Sequence, residues 1–423
     1  MEFLYEGTSG IAEKDIKVTT EKLLPYIDEL LSKIDAGAYT FPECSLLLPS
    51  DEALARSVLD FVYEIKSQTL KYVFLVGIGG SSLGAKALYE TKYSPERISI
   101  EKKPELFFID AVDCGFKDGV LALATEHIQK PEDFIVIVVS KSGTTVETLV
   151  NLDLLHQALC EKFKKDEVCA RTIVITDKNS ALEKVALREN IRSLTVPPLV
   201  GGRYSVFSAV GIFPLALLGF DTEGLRESAR HMRALCLLQD MEKNPAAISA
   251  AIIYENFRAG KNILNTFFFD ERLRGLGGWC AQLLAESIGK KKETGIIPTT
   301  AIGTNDLHSL LQLYLATAPN TLTLFGNFEE CDDRANYVDL FGLAPDIKGK
   351  TVSKIREAAY FGTKEAYHKA GLPYIEVIMK NTSEVGGFMQ FKMLETMYLA
   401  QLLNVNAFDQ PAVEEYKKST KNY

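Results

Sequence analysis

The chain has 423 residues, 47% of them hydrophobic and 24% charged, with a formal net charge of −9. That length suffices for two ordinary cores, and the acidic balance argues against nonspecific nucleic-acid binding while leaving room for a local anion site. No apolar run approaches the roughly 18 residues that span a bilayer, and the seven scattered cysteines suit reduced thiols better than a disulfide framework or structural zinc, so a cytoplasmic protein is expected.

Residues 51–67 have the period of an amphipathic helix with acidic residues in its first turn. Short, nearly continuous apolar runs follow at 72–76, 106–110, 134–140 and 172–177, the pattern of parallel strands buried on both faces. Helical periodicity over 82–90, 117–129 and 145–160 alternates with them, which makes repeated βαβ units. After a loop at 197–205 and a helical stretch near 221–239 comes a second series. Its strands are expected at 263–269, 295–299, 321–325 and 374–379, with helices at 276–288, 306–317, 351–360 and 385–403. Two α/β domains, 51–215 and 216–405, are the economical reading, with an N-terminal extension over 1–50 and a polar C-terminal tail over 406–423.

Two glycine and hydroxyl clusters stand directly after strands. GIGGSSLG at 77–84 begins like a dinucleotide fingerprint but places Ser82 where the third glycine is required. SKSGTTVET at 140–148 offers hydroxyls, one cation and a helix start, without the spacing of a P-loop. Both lie beyond strand carboxyl ends, where open parallel sheets bind ligands, and their size suits a monophosphate. An ordinary β-to-α turn capped by Thr144 or Thr145 is the alternative for the second cluster.

Among the residues able to do chemistry, Gln282 and Glu286 are four apart and share a helix face, with Glu286 either a proton acceptor or a solvated terminal carboxylate. His308 follows a glycine-led turn and is either a capping residue or an acid-base group. His127, His156 and His231 are expected at the surface. Arg203 in GGRYS presents a cation at a tight turn. Gln410 precedes a proline-started helix that leads to Lys417. The lysine run at 290–292 reads as a solvated face. No spacing indicates a metal site, and no cofactor is called for.

Five blocks in fixed order then carry a family resemblance: GIGGSSLG (77–84), SKSGTTVETL (140–149), VGGRYSVFSAVG (200–211), QLLAESIGK (282–290) with GTNDLHSLLQ (303–312), and FDQPAVEEYK (408–417). The chain resembles the glucose-6-phosphate isomerases. The resemblance implies two sugar-isomerase (SIS) type α/β domains, each a parallel sheet flanked by helices in three αβα layers, with the active site at their junction. It implies conversion of glucose 6-phosphate and fructose 6-phosphate through a cis-enediol, with Glu286 as base and Arg203 as the cation on the enediolate. His308 and Lys417 correspond to the ring-opening groups. Gly80, Ser81, Ser140, Lys141, Ser142 and Thr145 correspond to the sugar and phosphate loops, and Gln282 and Gln410 to supporting polar contacts. It further implies a homodimer in which the histidine comes from the partner subunit. Ile288 and Ala412 depart from the family's usual Asn and Gly. Competing readings are a sugar-phosphate-binding regulatory module without turnover, and an isomerase that also accepts mannose 6-phosphate.

Overall fold

The apolar runs become strands in the computed structural model, which describes residues 1–93, 104–317, 319–329 and 336–413. In chain order the strands are β1 (Glu2–Leu4), β2 (Tyr72–Val76), β3 (Glu105–Ile109), β4 (Phe134–Val139), β5 (Thr172–Thr176), β6 (Arg192–Thr195), β7 (Ile263–Phe268), β8 (Ile297–Ile302), β9 (Thr321–Phe328) and β10 (Tyr374–Met379). Five helices matter most for the site: α1 (Leu83–Lys92), α2 (Val146–Cys160), α3 (Pro245–Arg258), α4 (Arg274–Ile288) and α5 (Val385–Leu402).

Contacts divide the chain into two compact units: Ser32–Tyr89 with Pro95–Arg226, and Met1–Leu31 with Glu90–Ser94 and Glu227–Tyr423. The sheet of the former runs β3-β2-β4-β5-β6 and is parallel throughout. β4 and β5 are buried along their whole length, because helices cover both faces of a parallel sheet, and this explains their unbroken Val/Ile sequence. Phe74, Val136, Val138 and Val174 pack with Leu155 and Leu159 of α2 in this core.

The sheet of the other unit runs β1-β10-β9-β7-β8. β7, β8, β9 and β10 are parallel, whereas β1 joins β10 antiparallel, pairing Glu2 with Ile378 and Leu4 with Glu376. The first residues of the chain therefore belong to the sheet of the C-terminal half. Residues 1–50, expected as one extension, are shared between the units at Leu31. An aromatic cluster of Phe267, Phe269, Phe325, Tyr360, Tyr367 and Tyr374 fills one side of this sheet, and α3 and α5 pack against each other. α5 is buried from Val385 to Ala400, its polar Lys392 and Glu395 paired with each other and Glu395 accepting from Ser249 Oγ at 2.6 Å.

Two strands, β1 and β6, were not legible as apolar runs. Both are edge strands with half-exposed residues, so nothing required a continuous hydrophobic sequence. The helix expected over 306–317 is two pieces, Asn305–Ser309 and Leu311–Thr317.

His156 departs from its expected surface position. It is half-buried on α2, with Nε2 2.9 Å from Thr172 Oγ1, and the Thr172 hydroxyl donates to the Val168 carbonyl, so the ring nitrogen is the donor. Burial pulls its pKa below the usual 6.5, and Asp153 only partly opposes this. The folded chain thus resists a proton that the unfolded chain accepts, and this contribution to stability is present above pH 6.5 and lost as pH falls below it. Melting temperatures between pH 7.5 and 5.5 are expected to fall more steeply for the wild type than for His156→Gln; parallel falls would refute the assignment.

Candidate active site

The strand order places one site without reference to any side chain. From β2 the chain crosses to β3 on one side, then returns to β4 on the other side of β2. The carboxyl ends of β2 and β4 are neighbours, with Val76 opposite Val138. At such a switch point the two following loops diverge and leave a crevice for a ligand. The loops are the two glycine and hydroxyl clusters.

After β4, Ser140 is buried and its hydroxyl is spent within the loop, accepting from the Gly143 N–H at 3.2 Å and lying 3.1 Å from Thr145 Oγ1. Gly143 has φ +69°, and a Cβ there would stand 2.6 Å from the Leu182 nitrogen, so the turn requires glycine twice over. Ser142 and Thr144 are exposed, joined by a hydroxyl contact of 3.1 Å. Thr145 takes the N-cap position of α2 but makes no side-chain cap bond. Its hydroxyl faces Ser140, and the first-turn amides of α2 keep the positive helix end available to an anion. Lys141 lies near Asp177 and Cys44. Burial raises the Asp177 pKa while Lys141 opposes it, and burial pushes the Cys44 thiol up to about 11 against the same lysine.

After β2, the turn Gly79–Ser81 leads into α1. A Cβ on Gly80 would meet the Gly202 carbonyl carbon at 2.3 Å and the Arg203 nitrogen at 2.5 Å. Both are backbone atoms that cannot swing aside, so glycine at 80 is what permits the loop containing Arg203 to dock here. Ser205 Oγ reinforces the contact, donating to the Gly202 carbonyl at 2.8 Å and reaching the Gly80 carbonyl at 3.4 Å. Arg203 is 3% exposed, with its guanidinium 5.4 Å from the Tyr204 ring centre. The three blocks at 77–84, 140–149 and 200–211 thus bring hydroxyls, amides and a held cation together in one unit.

The corresponding place in the other sheet, between β7 and β9, is taken by an ion cluster. Burial opposes ionisation of Asp270, but Arg272, at 2.7 Å, and Arg356 outweigh it and hold the carboxyl below the usual range. The glutamate, glutamine and histidine singled out in this unit lie elsewhere. α4 crosses from the carboxyl end of β7 to the amino end of β8, which brings Glu286 in its last turn to the amino edge of the sheet. Gln282 Nε2 donates to Glu286 Oε1 at 2.8 Å, so the expected shared face is an actual contact. Ile288, the departure from the family pattern, is fully buried on another side of the helix, where an apolar residue packs.

Lys290 Nζ donates to the Glu286 carbonyl at 2.7 Å and to the Asp409 carbonyl, which brings the segment carrying Gln410 to the end of α4. Gln410 is exposed, as is Ala412. His308 is exposed in the short helix after β8, at the carboxyl edge, so a whole strand separates the levels of Glu286 and His308 in this sheet. Lys417 lies outside the described residues. Sequence inspection missed the Lys290 contact and the role of Gly80 against Gly202; the GG pair at 201–202 beside an arginine was the available signal. Among the described residues no group of three or more His, Cys, Asp or Glu side chains is arranged to hold a metal ion, and no helix is long and apolar enough to cross a membrane.

Parallel sheets flanked by helices in each of two units, one with glycine and hydroxyl loops at its switch point, define an α/β class of the sugar-isomerase type. The phosphoglucose isomerase family model matches residues 62–318, more than half of the chain. A glucose-6-phosphate isomerase of Rubrobacter xylanophilus is 31% identical, with 99% of this chain and 95% of the relative covered. A probable glucose-6-phosphate isomerase of Methanococcus maripaludis is 32% identical, with 85% and 80% covered. Among solved structures, a hypothetical protein of Thermus thermophilus superposes with a TM-score of 0.84 at 27% identity over 97% of both chains. A Chlamydia trachomatis glucose-6-phosphate isomerase shares the fold, with a TM-score of 0.75 at 22% identity over 89% of this chain and 74% of its own. The chain belongs to the phosphoglucose isomerase family.

Gly80→Ala is expected to destabilise the chain by about 1–3 kcal/mol through overpacking. Gly119→Ala, in a helix with open space at its Cβ, should be neutral or gain up to about 1 kcal/mol. Urea midpoints of the two variants check this, and equal midpoints would refute the close-approach argument.

Proposed function

We propose that the chain interconverts glucose 6-phosphate and fructose 6-phosphate through a cis-enediol, with Glu286 as the base. The observation that carries this reading is the Gln282 to Glu286 hydrogen bond, which fixes one carboxylate oxygen and leaves the carboxylate as a proton acceptor of set orientation. The loop from Ser140 to Thr145 grips the phosphate, through Lys141, the exposed Ser142 and Thr144, and the α2 amides. Ser140 serves by shaping the loop. Gly80 and Ser81 line the sugar. Phosphate binding at one end orients the reacting carbons at the other.

Glu286 removes the proton from C1 of open-chain fructose 6-phosphate, electrons move to the C2 oxygen, and Arg203 steadies the resulting enediolate. The proton on O1 passes to the C2 oxygen, and the same carboxyl returns its proton to C2 as the C1–O bond becomes the carbonyl, giving the aldose. No electron leaves the substrate, so no cofactor is consumed. Opening the ring needs a proton on O5 and the loss of one from the anomeric hydroxyl, the work assigned to His308 and Lys417.

The active form is a homodimer in which the histidine comes from the second copy. Support comes from the sheet. Glu286 stands at the amino edge and His308 beyond the carboxyl edge of strands six residues long, about 20 Å of rise, more than one hexose bridges. A small-molecule hexose phosphate as substrate and a cytoplasmic setting complete this reading.

Glu286→Gln is expected to keep binding fructose 6-phosphate while kcat falls by about 10²–10⁴-fold. A coupled assay with each aldose phosphate, and deuterium exchange at C1 of fructose 6-phosphate, check this. Full activity in the variant would sink the assigned base; binding without any exchange in the wild type would favour a regulatory module, and turnover of mannose 6-phosphate would widen the substrate range.

A further inference from the structure

The lysine run at 290–292 reads as a solvated face in sequence, yet the Lys290 side chain is only 8% exposed. Its ammonium has three acceptors in reach: the Glu286 carbonyl at 2.7 Å, the Asp409 carbonyl, and Asp409 Oδ1 at 3.0 Å. An ammonium has three protons, and all three have acceptors here. The Glu286 carbonyl lies in the last turn of α4, among the carbonyls that have no partner inside the helix, and a cation is favoured at that end.

The other side of the contact is itself ordered around Asp409. Asn406 Nδ2 donates to Asp409 Oδ2 at 3.2 Å, and the Phe408 N–H donates to Asn406 Oδ1 at 2.9 Å. Lys291 adds a bond to the Asn404 carbonyl at 3.3 Å. The chain after α5 is thereby tied to the end of the helix that bears Glu286.

We infer that Lys290 is a positioning residue for the isomerisation, clamping the segment that carries Gln410 to the last turn of the Glu286 helix. This rests on the isomerase reading above. Lys290 bonds the backbone carbonyl of Glu286, not its carboxylate, so it sets where the base and Gln410 stand relative to each other without touching the proton in flight. A displacement near 1 Å in such a pair is enough to cost up to about a hundredfold in rate.

The test compares wild type, Lys290→Met and Lys290→Arg in conversion of fructose 6-phosphate, with amide hydrogen exchange over residues 403–410. Methionine keeps the length and loses the donors; arginine keeps the charge and can serve two acceptors. Lys290→Met should lose about tenfold or more in kcat, hold KM within about threefold and exchange faster over 403–410, while Lys290→Arg recovers most of kcat. If the methionine variant does not fold, Asp409→Asn carries the test, with the same split and about a threefold loss of kcat. An active wild type with an unaltered kcat in Lys290→Met overturns the inference alone. So does a joint loss of kcat, KM and melting temperature that arginine fails to rescue. A wild type that does not turn over fructose 6-phosphate overturns the isomerase reading, and this role with it.

Discussion

The parallel pairing of β2 with β4 is the constraint on which the half with the two glycine and hydroxyl loops rests. Val76 and Val138 stand opposite each other, so the chain must leave both strands at the same level of the sheet. The return across β2 keeps the two loops from being covered by a single connection. Everything polar that follows is placed by this one register: a slip of one residue would turn every side chain of the strand to the other face.

Within that crevice the sequence spends its glycines on backbone contact. Gly80 lets the loop after β2 touch the backbone of Gly202 and Arg203, and Gly143 gives the loop after β4 its left-handed turn against Leu182. The buried hydroxyls of Ser140 and Ser205 then satisfy loop backbone groups, and those of Ser142 and Thr144 are exposed. A division between buried, loop-shaping hydroxyls and exposed ones follows from burial, and a motif of undifferentiated serines and threonines does not reveal it.

The other unit uses its sheet differently. Its own switch point holds Asp270 between two arginines. Glu286 lies at the opposite edge, where α4 ends and Lys290 bonds the segment after α5. The same βαβ alternation therefore yields a glycine and hydroxyl crevice at one sheet's carboxyl edge and the Gln282–Glu286 pair at the other's amino edge. Helix direction explains the second placement, since a crossover helix must run back against its parallel strands.

Much of this was legible in residue order. The buried strands declared themselves because a sheet covered on both faces needs apolar residues at every position, as in Phe134–Val139. The pair Gln282 and Glu286 was readable because helical period puts positions four apart on one face. The edge strands Glu2–Leu4 and Arg192–Thr195 were not, since an edge half open to water imposes no apolar pattern. His156 looked like a surface residue because of its own polarity and Lys290 because two further lysines follow it, while their actual neighbours, Thr172 and Asp409, lie 16 and 119 positions away. Sequence by itself determined the buried strands, most of the long helices and the short polar motifs that follow strands, because those depend on period and local backbone needs. Tertiary structure alone decided which hydroxyls face inward, which edge of its sheet Glu286 occupies and which lysine is buried against Asp409, because each depends on contacts between residues remote in the chain.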